Sequence, residues 1–182
     1  MKLNYKKSLK LITLLISALI IATASATTYN MFMNSTVGVK ATGMSFVAGT
    51  DFTTCGGSIT DNNQKVTFSK MNGTAGQEVI YMPVNIACAD ASGHNIALVL
   101  DSWTGASQTH LYYINVTMFN GAAQEGDSIL LYPTGKGTSI TTSGTVNIAN
   151  GETWNVEWRV YWAGNATLTD KVEVYLLLSI TS

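Results

Sequence analysis

Cys55 and Cys88 are the chain's only two cysteines, and their pairing is the first chemistry the sequence offers. An even count in an exported chain points to one disulfide, whereas a redox or metal pair would need CxxC spacing or nearby His and Asp ligands. The bridge would close a loop of about 33 residues and contribute ~3–4 kcal/mol. His94 and His110 are the only histidines, and neither lies in an HExxH or other paired-ligand spacing. The sequence has no GxSxG elbow, no phosphate-cradling glycine loop and no Cys beside a His. Asp51, Asp61, Asp90, Asp101, Asp127 and Asp170 are scattered over expected turns and strand ends. They have no EF-hand order, so a structural calcium ion has no motif behind it and no cofactor or metal is expected. The chain is therefore not expected to be an enzyme.

Four Asn-X-Ser/Thr acceptors begin at Asn34, Asn72, Asn115 and Asn165. Such acceptors imply N-linked glycans on solvent-facing side chains. Asn72 and Asn165 fall in expected turns, and Asn115 lies opposite the apolar row of its strand. Of the four tryptophans, Trp154, Trp158 and Trp162 share a strand face with Val156 and Val160 and are expected in the core. Trp103, in the segment 101–109, is the candidate for an exposed sugar-binding platform.

The ends and the composition say where such a chain would work. Lys2, Lys6, Lys7 and Lys10 precede a short apolar run from Leu11 to Ala22, and Ala24-Ser25-Ala26 supplies small residues for cleavage. Residues 1–26 thus read as a secretory signal, with the mature chain starting at Thr27 and contact with the membrane confined to export. The run is shorter than the ~20 residues a bilayer crossing needs. Removing four lysines takes the basic count from ten to six against eleven acidic residues, a net charge of −5. That balance excludes nucleic acid, whose binders need a basic face. Charged residues make up 12% of the chain, about half the usual share, so Ser, Thr, Asn and Gly must supply the polar surface.

The elements that carry these residues have period two almost throughout. Trp154, Val156, Trp158, Val160 and Trp162 alternate with Thr153, Asn155, Glu157, Arg159 and Tyr161. Val172, Val174, Leu176, Leu178 and Ile180 form a second row, and Ile96, Leu98 and Leu100 another. Ile80, Met82, Val84, Ile86 and Cys88 are expected to face inward together, as are Tyr112, Ile114, Val116 and Met118. Turn signals such as Asn72-Gly73, Ser92-Gly93, Asn120-Gly121 and Asn150-Gly151 separate the rows. The expected fold is a single all-β, Ig-like β-sandwich over residues 41–182, of about nine to eleven strands.

The segment 27–40 is a further amphipathic strand, with Tyr29, Met31, Met33, Val37 and Val39 on one face. Chain ends are usually frayed and polar, and an exposed apolar strand is an aggregation liability, so this face must be buried. It either pairs within its own sandwich or leaves it to complete a neighbour's sheet, giving an open head-to-tail polymer.

Signal, immediate N-terminal strand and Ser/Thr/Asn-rich sandwich with glycan acceptors together resemble the archaeal extracellular thread and bundling-pilus subunits. Those are similar to the bacterial camelysin and TasA biofilm-fibre proteins. The resemblance implies a jelly-roll-like sandwich and a donor strand whose Tyr29, Met31, Met33, Val37 and Val39 fill the groove of the next subunit. It implies a secreted, glycosylated cell-surface filament acting in adhesion, cell–cell contact or biofilm, whose partners are other copies of itself and filaments of neighbouring cells. Two other readings remain: a type IV pilin-like subunit that retains its apolar N-terminal helix, and a monomeric carbohydrate-binding or surface-layer accessory protein using Trp103.

Overall fold

The computed structural model describes residues 37–38, 43–60, 62, 64–104, 110–133, 135–167, 170 and 172–181. The expected signal, most of the N-terminal strand including Tyr29, Met31, Met33 and Val39, and the acceptor Asn34 lie outside them. Among the described residues no helix is long and apolar enough to cross a membrane.

The described residues form eleven strands: β1 (Val37–Gly38), β2 (Met44–Ala48), β3 (Gly57–Thr60), β4 (Lys65–Phe68), β5 (Glu78–Cys88), β6 (His94–Thr104), β7 (Leu111–Asn120), β8 (Ala123–Leu131), β9 (Val146–Ile148), β10 (Thr153–Trp162) and β11 (Glu173–Thr181). All pairings between them are antiparallel. One layer is a five-stranded sheet in the order β2-β5-β10-β7-β8, and the other consists of two three-stranded sheets, β1-β4-β3 and β11-β6-β9. The fold is an all-β sandwich, as the alternating rows require.

β10 lies at the centre of the large sheet because it is the most regularly alternating strand. Its five even-numbered side chains, three of them tryptophans, are all buried. They meet Leu98, Ile96, Val174, Leu176 and Leu178 from the opposite layer in one continuous core. An indole buries on the order of 150–250 Å², so these three rings supply much of the apolar area removed from water.

Two inward rows change phase where a strand carries an extra residue. Val156 pairs with Val84 but Trp158 pairs with Tyr81, so β5 bulges at Met82–Pro83. Proline has no N–H for the ladder, and strand prolines sit at edges or bulges. The distortion is held by the chain after β2: Asp51 N donates to Met82 O (3.1 Å), and Met82 N donates to Asp51 Oδ2 (2.7 Å). Gly49 is required beside it, since a Cβ there would lie 2.3 Å from Met82 O. Beyond the bulge Ile80 turns outward and is 45% exposed, correcting its expected inward position. β7 does the same at its start, where Tyr161 pairs with Tyr113 but Trp162 pairs with Leu111. Leu111 takes the core position expected for Tyr112, which is exposed.

The expected disulfide is not formed: Cys55 and Cys88 are both free and buried. Cys55 follows β2 and neighbours Tyr81 and Asp51, at one end of β5. Cys88 closes the other end of β5, opposite Met44. Seven strand residues at ~3.3 Å each separate the two sites by roughly 20 Å, far beyond the ~7 Å limit for bridging Cα atoms. Burial, and secondarily the Asp51 charge, push the Cys55 thiol up to about 12, so it stays protonated and unreactive.

Along one side the two layers are stitched by the segment 140–143. Leu130 and Ile140 exchange both backbone hydrogen bonds, and Ser143 exchanges a backbone and a side-chain bond with Leu98. On the opposite side β2 approaches β3. Among the described residues no ladder joins β4 to β11, and between them β1 pairs with β4, Val37 opposite Val66, while lying alongside β11.

Candidate functional site

Among the described residues no second layer lies over the outward-facing side of β10. Cross-strand register places Thr117 beside Glu157, Asn115 and Ile80 beside Arg159, and Tyr113 and Glu78 beside Tyr161. These strands shape a cavity of about 340 Å³ whose wall includes Glu78, Tyr113, Asn115, Thr117, Glu157 and Arg159. Next to it, sharing Tyr113 and Tyr132, lies a second cleft of about 300 Å³ completed by Tyr112, Lys136 and Tyr161.

The cavity floor is polar and ordered. Glu157 is only 6% exposed and accepts a 2.6 Å hydrogen bond from Arg159 Nε. Arg159 Nη1 lies 3.9 Å from Glu78 Oε2, and the Tyr113 hydroxyl donates to Glu78 Oε1. A buried carboxylate is tolerable when a guanidinium pairs with it and its oxygens are hydrogen-bonded. The bond to Glu157 raises the Arg159 guanidinium above its ordinary value. Burial, then the bond to the Glu78 carboxylate, push the Tyr113 hydroxyl up to about 12, so it remains a donor at any physiological pH. Thr117, also buried, donates to Asn115 Oδ1 (3.2 Å) and lies 2.7 Å from Ser128 Oγ.

The tyrosine cleft exists because β7 bulges at Tyr112, which brings two consecutive tyrosines to the outer side. Bulges recur where a strand must re-aim a side chain. Tyr112 and Tyr161 stack with centroids 4.8 Å apart, Tyr113 meets the edges of Tyr161 and Tyr132, and Lys136 Nζ sits 4.5 Å over the Tyr112 ring. Lys136 is fixed there by donating to Leu111 O (2.8 Å).

The other sequence-singled residues are spread over the sandwich. Trp103 lies within β6, paired with Val174 and half-buried against the core, and so is not the exposed loop platform expected of it. Asn165 is exposed in the turn after β10. Asn115 is half-buried in mid-strand, and Asn72 is half-buried with no hydrogen-bond partner for its Oδ1 among the described residues. His94 Nε2 lies 3.2 Å from Asp90 Oδ2, and His110 Nδ1 lies 2.7 Å from Asp170 Oδ2, at separate places in the fold. Among the described residues no three His, Cys, Asp or Glu side chains converge as a metal site. The sequence signal for the outer-face site was the Glu157–Arg159 spacing of two on one strand, which puts both charges on the same face. No protein-family model matches the chain, and no curated protein matches it in sequence.

Proposed function

We propose that the chain is a structural subunit of a secreted, glycosylated filament, joined head to tail by donor-strand complementation. The observation that carries this reading is that no ladder joins β4 to β11 among the described residues. β4 and β11 each present an edge there, and the described chain lying between them is β1, from the apolar N-terminal strand. Unpaired strand edges are templates for another chain. A slot that the chain's own N-terminus fills can equally take the same strand from the next subunit, and such an exchange run head to tail grows into an open filament where the rotation between subunits does not close a ring.

The segment 27–40 has more residues than the nine of β11, and its apolar row needs a buried partner. Glycans on the acceptor asparagines would supply surface polarity to a chain poor in charge, and Asn165 is the most open of those described. The reading is tested by electron microscopy of chains beginning at Thr27 and at Ala41. Filaments are expected from the first and none from the second. Dispersed particles from both would instead favour a monomeric surface module.

A further inference from the structure

We infer that the outer face of the five-stranded sheet is a binding site for a neutral oligosaccharide, one pyranose ring lying on the Tyr112–Tyr161 pair and its neighbour entering the Glu78–Glu157–Arg159 cavity. The two clefts share Tyr113 and Tyr132 and are therefore adjacent, so consecutive rings of one oligosaccharide can reach both.

The chemistry of the two halves is different and complementary. A pyranose has an apolar C–H face, slightly positive, which suits the negative face of an aromatic ring. Tyr112 is 43% exposed, with Tyr161 stacked on it and Lys136 Nζ 4.5 Å over its ring, so a pyranose lies on this pair by taking the place of the Lys136 ammonium. The ring edges carry hydroxyls, each both donor and acceptor. The cavity meets them with carboxylate acceptors on Glu78 and Glu157, guanidinium donors on Arg159 and an amide on Asn115. Because Glu157 and Thr117 are buried and already oriented by Arg159 and Ser128, these groups need little reordering on binding.

Charge balance selects the ligand class. Two carboxylates face one guanidinium inside the cavity and one ammonium at the tyrosine cleft. Such a site has no excess charge to favour a phosphate, a sulfated sugar or a metal ion, and offers many directional hydrogen bonds to an uncharged polyol. Asn115 acts here as a ligand-binding side chain, so the binding-competent chain is the one in which this acceptor is unmodified.

The inference does not depend on filament assembly, since every group lies in one chain. Isothermal titration of the full secreted chain would use cello-, manno- and chito-oligosaccharides, with oligogalacturonate as the acidic control, after a peptide mass map confirms unmodified Asn115. Binding of at least one neutral series is expected, weakened roughly tenfold or more in Tyr112→Ala and in Glu78→Gln and retained in Tyr112→Phe. Circular dichroism of Tyr112→Ala should match the parent, since that ring packs on the outer face of the sheet and not in the core. Failure of all neutral series, a preference for the acidic control, or unchanged affinity in either Tyr112→Ala or Glu78→Gln would overturn the assignment.

Discussion

A chain carrying Met33→Asp is expected to fold as a soluble sandwich and to form no filaments. Met33 lies mid-row among Tyr29, Met31, Val37 and Val39. Burying such a row in a neighbour's groove would contribute on the order of 10 kcal/mol before ordering costs, at ~1.5–3 kcal/mol per large side chain. A carboxylate in the middle of that row loses the methionine's share and adds an unpaired charge in an apolar slot, together several kcal/mol at every junction. A linear polymer depends on each junction, so its length collapses. Sedimentation velocity would show monomers, and filaments of parent length would remove the donor-strand assignment.

The second large effect lies in the core. Trp158 is 1% exposed in the middle of β10, and its indole N–H has no hydrogen-bond partner among the described residues. Trp158→Ala should cost about 3–5 kcal/mol through lost contact and a residual cavity. Trp158→Phe should cost much less. It keeps most of the aromatic surface and removes a buried donor whose desolvation costs about 1–3 kcal/mol. Urea denaturation of the three chains separates the terms, and a phenylalanine variant as unstable as the alanine one would mean that shape alone sets the cost. Trp162, whose indole N–H is also unpartnered among the described residues, should follow the same order.

The regular strands were legible because burial repeats with the period of the backbone. Each even-numbered side chain of β10 from Trp154 to Trp162 is where alternation puts it, and the Val174, Leu176, Leu178 row of β11 likewise. Alternation fails where a strand gains a residue. Pro83 marks one such place, yet a proline alone does not say which of Ile80 and Tyr81 will then face the core. The Leu111-Tyr112-Tyr113 run offers two phases, and the choice was made by the partner strand at Trp162. Cysteine count misled for a related reason: parity says nothing about distance, and the two thiols were carried to opposite ends of β5. The outer-face cavity was legible only in part. Glu157 and Arg159 share a face by spacing, whereas Glu78, Asn115 and Thr117 join them through register between strands distant in sequence. The N-terminal strand stood out because apolar alternation at a chain end has to be buried against something.

The most direct test of strand exchange uses the pairing of Val37 with Val66, which face each other across β1 and β4. Directly opposed antiparallel residues have Cα atoms ~4.5–5.5 Å apart, within reach of a disulfide. The double variant Val37→Cys, Val66→Cys would be assembled, oxidised and run on a denaturing, non-reducing gel; the native thiols, both buried, stay out of the reaction. Donor-strand exchange predicts a ladder of covalently linked oligomers that collapses to monomer on reduction. A single monomer band holding an internal crosslink would show that each strand completes its own sandwich, and would contradict the filament account.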